Sequence, residues 1–186
     1  MSDGILKTIL MNHLVGRDKT SKQVYLDMYI HSLNEAKKLL SESVILFDHR
    51  SYERAYFLAF AALEEISKSQ LAADVFTGYI TEEKFRTVYR DHKGKISRVK
   101  WIQLDGNLYP FFREDGIKID DFDFRKKLRS MYVDFDSNSE VISSPSEVIT
   151  KLDAQSVIKA VKVGLYRIYQ VTEENGEQIG TKGFMK

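Results

Sequence analysis

Residues 55–68 read AYFLAFAALEEISK. The first nine are apolar on every side of a 3.6-residue helix, so this segment predicts the most buried helix of the chain. Gly78 is placed to end that helix, which spans roughly 51–76. The apolar run then meets Glu64, Glu65 and Lys68 within five residues. Glu64 and Lys68 are four apart and Glu65 and Lys68 three apart, both spacings that bring side chains together on a helix. Two readings stand side by side. One is a surface ion pair worth a few tenths of a kcal/mol. The other is a functional cluster, because an unpaired charge buried next to so apolar a segment costs several kcal/mol.

Upstream, Tyr25, Tyr29, Leu33, Ala36, Leu40, Val44 and Phe47 recur every three or four residues, one stripe of a long helix over about 21–47. Asp48, His49 and Arg50 break it. Downstream, Thr81 with Glu82 and Glu83 starts a third helix. Its inward stripe of Phe85, Val88, Tyr89, His92, Ile96, Val99 and Ile102 predicts continuation to about 104. Gly106, Asn107, Pro110 and Gly116 then interrupt the pattern over 105–143, with a short helix at 121–130 and an extended MYVDF at 131–135. Ser144-Pro145-Ser146-Glu147 has the form of a capping box and opens a last helix carrying Val148, Leu152, Ile158, Val161, Leu165 and Ile168. Three regions follow: an N-terminal segment 1–20, a helical domain 21–173 and a flexible tail 174–186. Short connections between the early helices predict an all-α, antiparallel four-helix bundle with an irregular insertion at about 105–143.

Bulk composition agrees. The 186 residues are 43% hydrophobic and 30% charged, with only two Pro, the balance of one globular core. Cysteine is absent, which excludes disulfides, zinc–thiolate sites and thiol nucleophiles. The N-terminal stretch has only short apolar pieces, so neither a membrane span nor a signal peptide is expected, and a cytoplasmic location is. The net charge of +1 gives no global attraction to nucleic acid. Locally, however, residues 84–100 hold seven basic side chains against one acid, Asp91. That run is either a solvated helix face or a binding face.

His92 lies on the inward stripe of the third helix, one turn before Lys95. It is either a structural histidine or an acid–base group meeting Glu64, Glu65 and Lys68 across the helix pair. Arg86 and His92 are six steps apart, so on an ideal helix they point about 120° from one another. The four histidines have no zinc-site spacing, and neither a phosphate-binding Gly-rich loop nor a GxSxG elbow is present. No metal or other cofactor is expected.

Three segments carry a resemblance. Glu64-Glu65-Ile66-Ser67-Lys68 resembles the EEIGK-like motif of AbiV-family abortive infection proteins of the HEPN superfamily, with Ser67 where that motif has Gly. His92-Lys93-Gly94-Lys95 resembles the family's HKxK element. Leu128 to Phe135, followed by Ser144-Pro145, is similar to its LRxxxLYVDY segment. Order and spacing agree over roughly 25–170.

The resemblance implies a HEPN bundle, a homodimer and a role in bacterial defence against phage. It further implies a metal-independent ribonuclease toxin built on an Arg-x4–6-His pattern, which Arg86 and His92 match. On that reading Glu64, Glu65, Lys68, Arg86, His92 and Lys95 form the catalytic cluster. Arg90, Lys93 and Arg98 hold the RNA substrate, and a phage-encoded activator protein triggers cleavage. The alternative is a non-catalytic defence module that binds a phage or host protein.

Overall fold

The computed structural model describes residues 19–91 and 124–175. Among them are six helices and one two-stranded sheet: α1 (Lys19–Asp48), α2 (Tyr52–Phe76), α3 (Glu82–Arg90), α4 (Phe124–Arg129), β1 (Asp134–Asp136), β2 (Val141–Ser143), α5 (Pro145–Val148) and α6 (Lys151–Asn175). The all-α bundle expected from periodicity is the architecture observed.

α2 is its centre. Seventeen of its 25 residues are buried, so it presents an inward face in nearly every direction. It packs between α1 and α6, which also touch each other. α1 contributes Leu26, Tyr29, Leu33 and Ala36, and α6 contributes Ala154, Val157, Ile158, Val161, Leu165 and Ile168. Gly164 of α6 faces Ile66 of α2: a Cβ there would lie 3.4 Å from Ile66 Cδ1, in ordinary van der Waals contact.

Both ends of the α1–α2 hairpin close in the same way. At the end of α1 the Arg50 amide donates to the Phe47 carbonyl and the Ser51 amide to that of Leu46, each at 2.9 Å, with Arg50 at φ +62°. At the end of α2 the Gly78 amide donates to Val75 at 3.0 Å and the Tyr79 amide to Asp74 at 2.8 Å, with Gly78 at φ +76°. These are Schellman closures, in which a left-handed residue turns the chain back onto the last helical carbonyls. Gly78 thus ends α2 as its sequence position predicts.

Thr81 caps α3 as expected, its hydroxyl oxygen accepting from the Lys84 amide at 3.2 Å. The expectation of one unbroken third helix to about 104 needs correction. α3 ends at Arg90, and Asp91 is extended at φ −90°, ψ 104°. An acidic residue at the negative pole of a helix is unfavourable there, and Asp readily satisfies the backbone outside helical geometry. Phe85 is the one buried residue of α3, edge-on to Tyr25 at 5.2 Å, while Tyr89 stacks on it from outside at 5.4 Å.

The short helix foreseen at 121–130 is α4, with residues 121–123 outside the described part. It leads into a hairpin with the register Asp134↔Ser143, Phe135↔Ile142 and Asp136↔Val141. The expected extended MYVDF is a strand only from Asp134 onward.

The start of the last long helix also differs from expectation. Glu147 does reach back, its Oε2 accepting from the Ser144 amide at 2.7 Å, but the turn it caps is α5, which stops at an extended Ile149. A second cap then forms: Asp153 Oδ2 accepts from the Thr150 amide at 2.8 Å, and Thr150 Oγ1 accepts from the Asp153 amide at 3.2 Å. The long helix therefore begins at Lys151. Its register leaves Leu152 72% exposed, although the sequence stripe included it.

Candidate functional site

Consecutive residues of a helix point about 100° apart, so Glu64 and Glu65 cannot share a face. Glu64 turns toward α4. Its Oε2 accepts from the Lys127 ammonium at 2.9 Å, and the two side chains are only 9% and 10% exposed. The Lys127 Nζ lies 5.3 Å from the ring centre of Phe57, 5.6 Å from that of Phe60 and 5.9 Å from that of Phe124. Three negative ring faces and one carboxylate therefore surround the cation in a site with little water.

Glu65 turns the other way, toward α1. It forms an ion pair with Lys68, one turn further along α2, with side chains 18% and 21% exposed. Of the two spacings in the sequence, the three-residue one is thus realised and the four-residue Glu64–Lys68 pair is not. Between them lies Ser67, fully buried, its hydroxyl meeting no hydrogen-bond partner among the described residues. Glu65 also lines an open groove of about 590 Å³ whose other wall is α1.

Arg86 sits on the surface of α3, 72% exposed and 3.6 Å from Glu82, and it does not line the groove that Glu65 lines. Glu82 also faces the Tyr25 phenol, whose ring meets Phe85 of α3. Burial first, and then the Glu82 charge, push the Tyr25 phenol above its ordinary range, against the opposing pull of Arg86. Arg90 belongs to the same exposed, mixed-charge face of α3 as Arg86 and Glu83. His92, Lys93, Lys95 and Arg98 lie outside the described residues.

The residue that sequence reasoning missed is Lys127. α4 reads FRKKLR, and three of its basic residues each take a carboxylate from a different element. Lys127 takes Glu64 of α2. Lys126 takes Asp153 of α6 at 2.6 Å, and Arg129 takes Asp134 of β1 at 3.1 Å. Burial alone would raise the Asp153 carboxyl. The hydrogen bonds from Lys126 and from the Thr150 amide and hydroxyl outweigh it and hold the group below the usual carboxylate range. The only signal in the sequence was a dense basic run beside the segment 128–135; nothing local says which acids it meets.

The EEISK motif, α4 and the hairpin all fall within the stretch that matches a known family: residues 24–165 fit the family model HEPN_AbiV, described as AbiV. The chain belongs to the AbiV family. Comparison with curated proteins and with solved structures returned no match. Membership in the AbiV family points to an abortive-infection defence protein of HEPN type. Within this AbiV domain the motif divides its two acids: Glu64 joins α2 to α4, and Glu65, paired with Lys68, lines an open groove. No helix among the described residues is long and apolar enough to cross a membrane.

Proposed function

We propose that this AbiV-family chain stops phage infection as a metal-independent endoribonuclease toxin acting on cellular RNA. It works as a homodimer and is triggered by a phage-encoded protein. The observation that carries the reading is the Glu65–Lys68 pair, whose glutamate lines an open groove, inside a domain of HEPN type. RNA supplies its own nucleophile, so the protein has only to move protons and neutralise charge on the phosphate. Lys68, Lys95 and Arg86 supply positive charge to the phosphate, and Glu65 orients Lys68. His92 takes the proton of the 2′-hydroxyl or gives one to the leaving oxygen. Arg90, Lys93 and Arg98 hold the RNA backbone, with an affinity that falls as salt rises. Glu64 is reassigned from chemistry to holding Lys127, because its buried pairing faces α4.

The test uses total RNA incubated with the purified chain, alone and with lysate from phage-infected cells. The proposal expects fragments ending in 2′,3′-cyclic phosphate. RNA that stays intact in both incubations refutes it.

A second reading, a non-catalytic module that binds a phage or host protein, is favoured by one observation. Tyr132, Val133, Phe135 and Ile142 are each 60–68% exposed around the hairpin. Exposed apolar groups so close together commonly mark interaction surfaces. A folded His92→Ala variant that still protects cells from phage would favour this reading over the first.

A further inference from the structure

The β1–β2 hairpin is a ribbon of two strands, each three residues long. Every strand residue except Ser143 is exposed, so both faces of the hairpin meet solvent. A ribbon of this size gains little from its own pairing, and a third strand is what it lacks. Among the described residues no strand lies beyond β1, whose outer edge is therefore open to one. The register sorts the side chains. Phe135 stands opposite Ile142 on one face, while Asp134 and Asp136 share the other with Ser143 and Val141. Along its open edge β1 thus presents acid, aromatic, acid.

The surrounding charge has one sign. Residues 130–150 hold four acids, Asp134, Asp136, Glu140 and Glu147, and no basic residue. Arg129 pairs with Asp134 at 3.1 Å and offsets one of them. The Asn138 amide and then the Ser139 hydroxyl donate to Asp136 and hold its carboxyl below the ordinary range, so it is charged at neutral pH. Such a face repels RNA and anionic membranes. A second copy meeting it across a two-fold axis would set the same four acids against one another, a costly contact of like charges. The complement is a protein segment with apolar side chains for Phe135 and Ile142 and basic ones for Asp134 and Asp136.

We infer that the open edge of β1 binds an extended protein segment in which apolar residues alternate with Lys or Arg, added as a third strand. The inference rests on the hairpin serving as a protein-binding surface and deepens that reading by naming the edge and the chemistry of the partner. Main-chain hydrogen bonds along the edge supply affinity, and the alternating side chains supply specificity. One face of the added strand extends the apolar Phe135–Ile142 pair, and the other neutralises the acids.

The test measures binding of three labelled synthetic peptides to the full chain by fluorescence anisotropy: KVKVKVKVK, its acidic copy EVEVEVEVE, and KKVVKKVVK, which keeps the composition and loses the alternation. Wild type is compared with Phe135→Ser and Asp136→Asn. Phe135 is exposed and an Asn at 136 keeps an oxygen for the Asn138 amide, so both variants should fold, which circular dichroism checks. The alternating basic peptide is expected to bind wild type, more weakly as salt rises. The other two peptides, and both variants with the first peptide, are expected to bind at least several-fold more weakly. If KVKVKVKVK fails to bind, or binds no better than either of the other peptides, the inference falls. It falls equally if both variants bind that peptide as wild type does. Phage plaquing on cells expressing Phe135→Ser separates the two levels. Protection lost with the fold intact supports the hairpin as a protein-binding surface, even where the peptide result overturns the partner's chemistry. Full protection by Phe135→Ser overturns both.

Discussion

Lys127 and Glu64 lie 63 residues apart in the chain and 2.9 Å apart in space, joined by a hydrogen-bonded ion pair of which at most a tenth is exposed. The pair is the direct link between the first acid of the EEISK motif and the insertion before the last helix. Removing one member leaves the other charge desolvated, which typically costs about 3–5 kcal/mol. Lys127→Met is therefore expected to lose about that much stability in urea unfolding. Combining it with Glu64→Leu is expected to recover most of the loss, because an apolar pair of similar size often replaces a buried ion pair at little cost. Losses that simply add in the double variant would show that the two groups do not act together.

The two helix-ending closures of the α1–α2 hairpin differ in one respect. Gly78 occupies its left-handed position without strain, whereas Arg50 holds φ +62° with a Cβ. A non-glycine residue there costs on the order of 1 kcal/mol. Arg50→Gly is expected to stabilise the protein by up to about 1 kcal/mol. Gly78→Ala is expected to destabilise it by about as much, although nothing lies within 4 Å of the Cβ it would add. Thermal unfolding reads both: a rise in Tm for the first and a fall for the second.

Asp153 gives a pH signature. Its carboxyl is held below the ordinary range in the folded chain despite burial, by Lys126 and by Thr150. The unfolded chain binds that proton more readily, so stability rises with pH through the acid range. The contribution is complete above the unfolded value of about 4 and is lost as pH falls through the lower folded value. Asp153→Asn should lower stability at neutral pH and flatten its decline below pH of about 4. Equal slopes for wild type and variant in acid urea titrations would contradict the assignment.

These features differ in how far the sequence discloses them. The spans of α1 and α2 follow from apolar periodicity, and the ends at Gly78 and Thr81 follow from residue types whose local chemistry suffices. The start of α6 was harder. Ser144–Glu147 and Thr150–Asp153 are both capping pairs, six residues apart, and only the second begins a long helix. Choosing the first also misplaced Leu152. The division between Glu64 and Glu65 was not legible, because either acid can pair with Lys68 by spacing and the partner that decides the matter comes from α4.

The central claim is that Glu64 serves the fold, while Glu65 and Lys68 serve defence. The most direct measurement is phage plaquing on cells expressing Lys68→Ala, alongside the Tm of the purified variant. Lys68 and Glu65 are each only about a fifth exposed, so Lys68→Ala leaves the Glu65 carboxylate without its partner at some cost in stability, and the Tm separates that cost from a loss of function. The account predicts a Tm within a few degrees of wild type together with loss of protection. A Lys68→Ala protein that folds and protects as fully as wild type would contradict it.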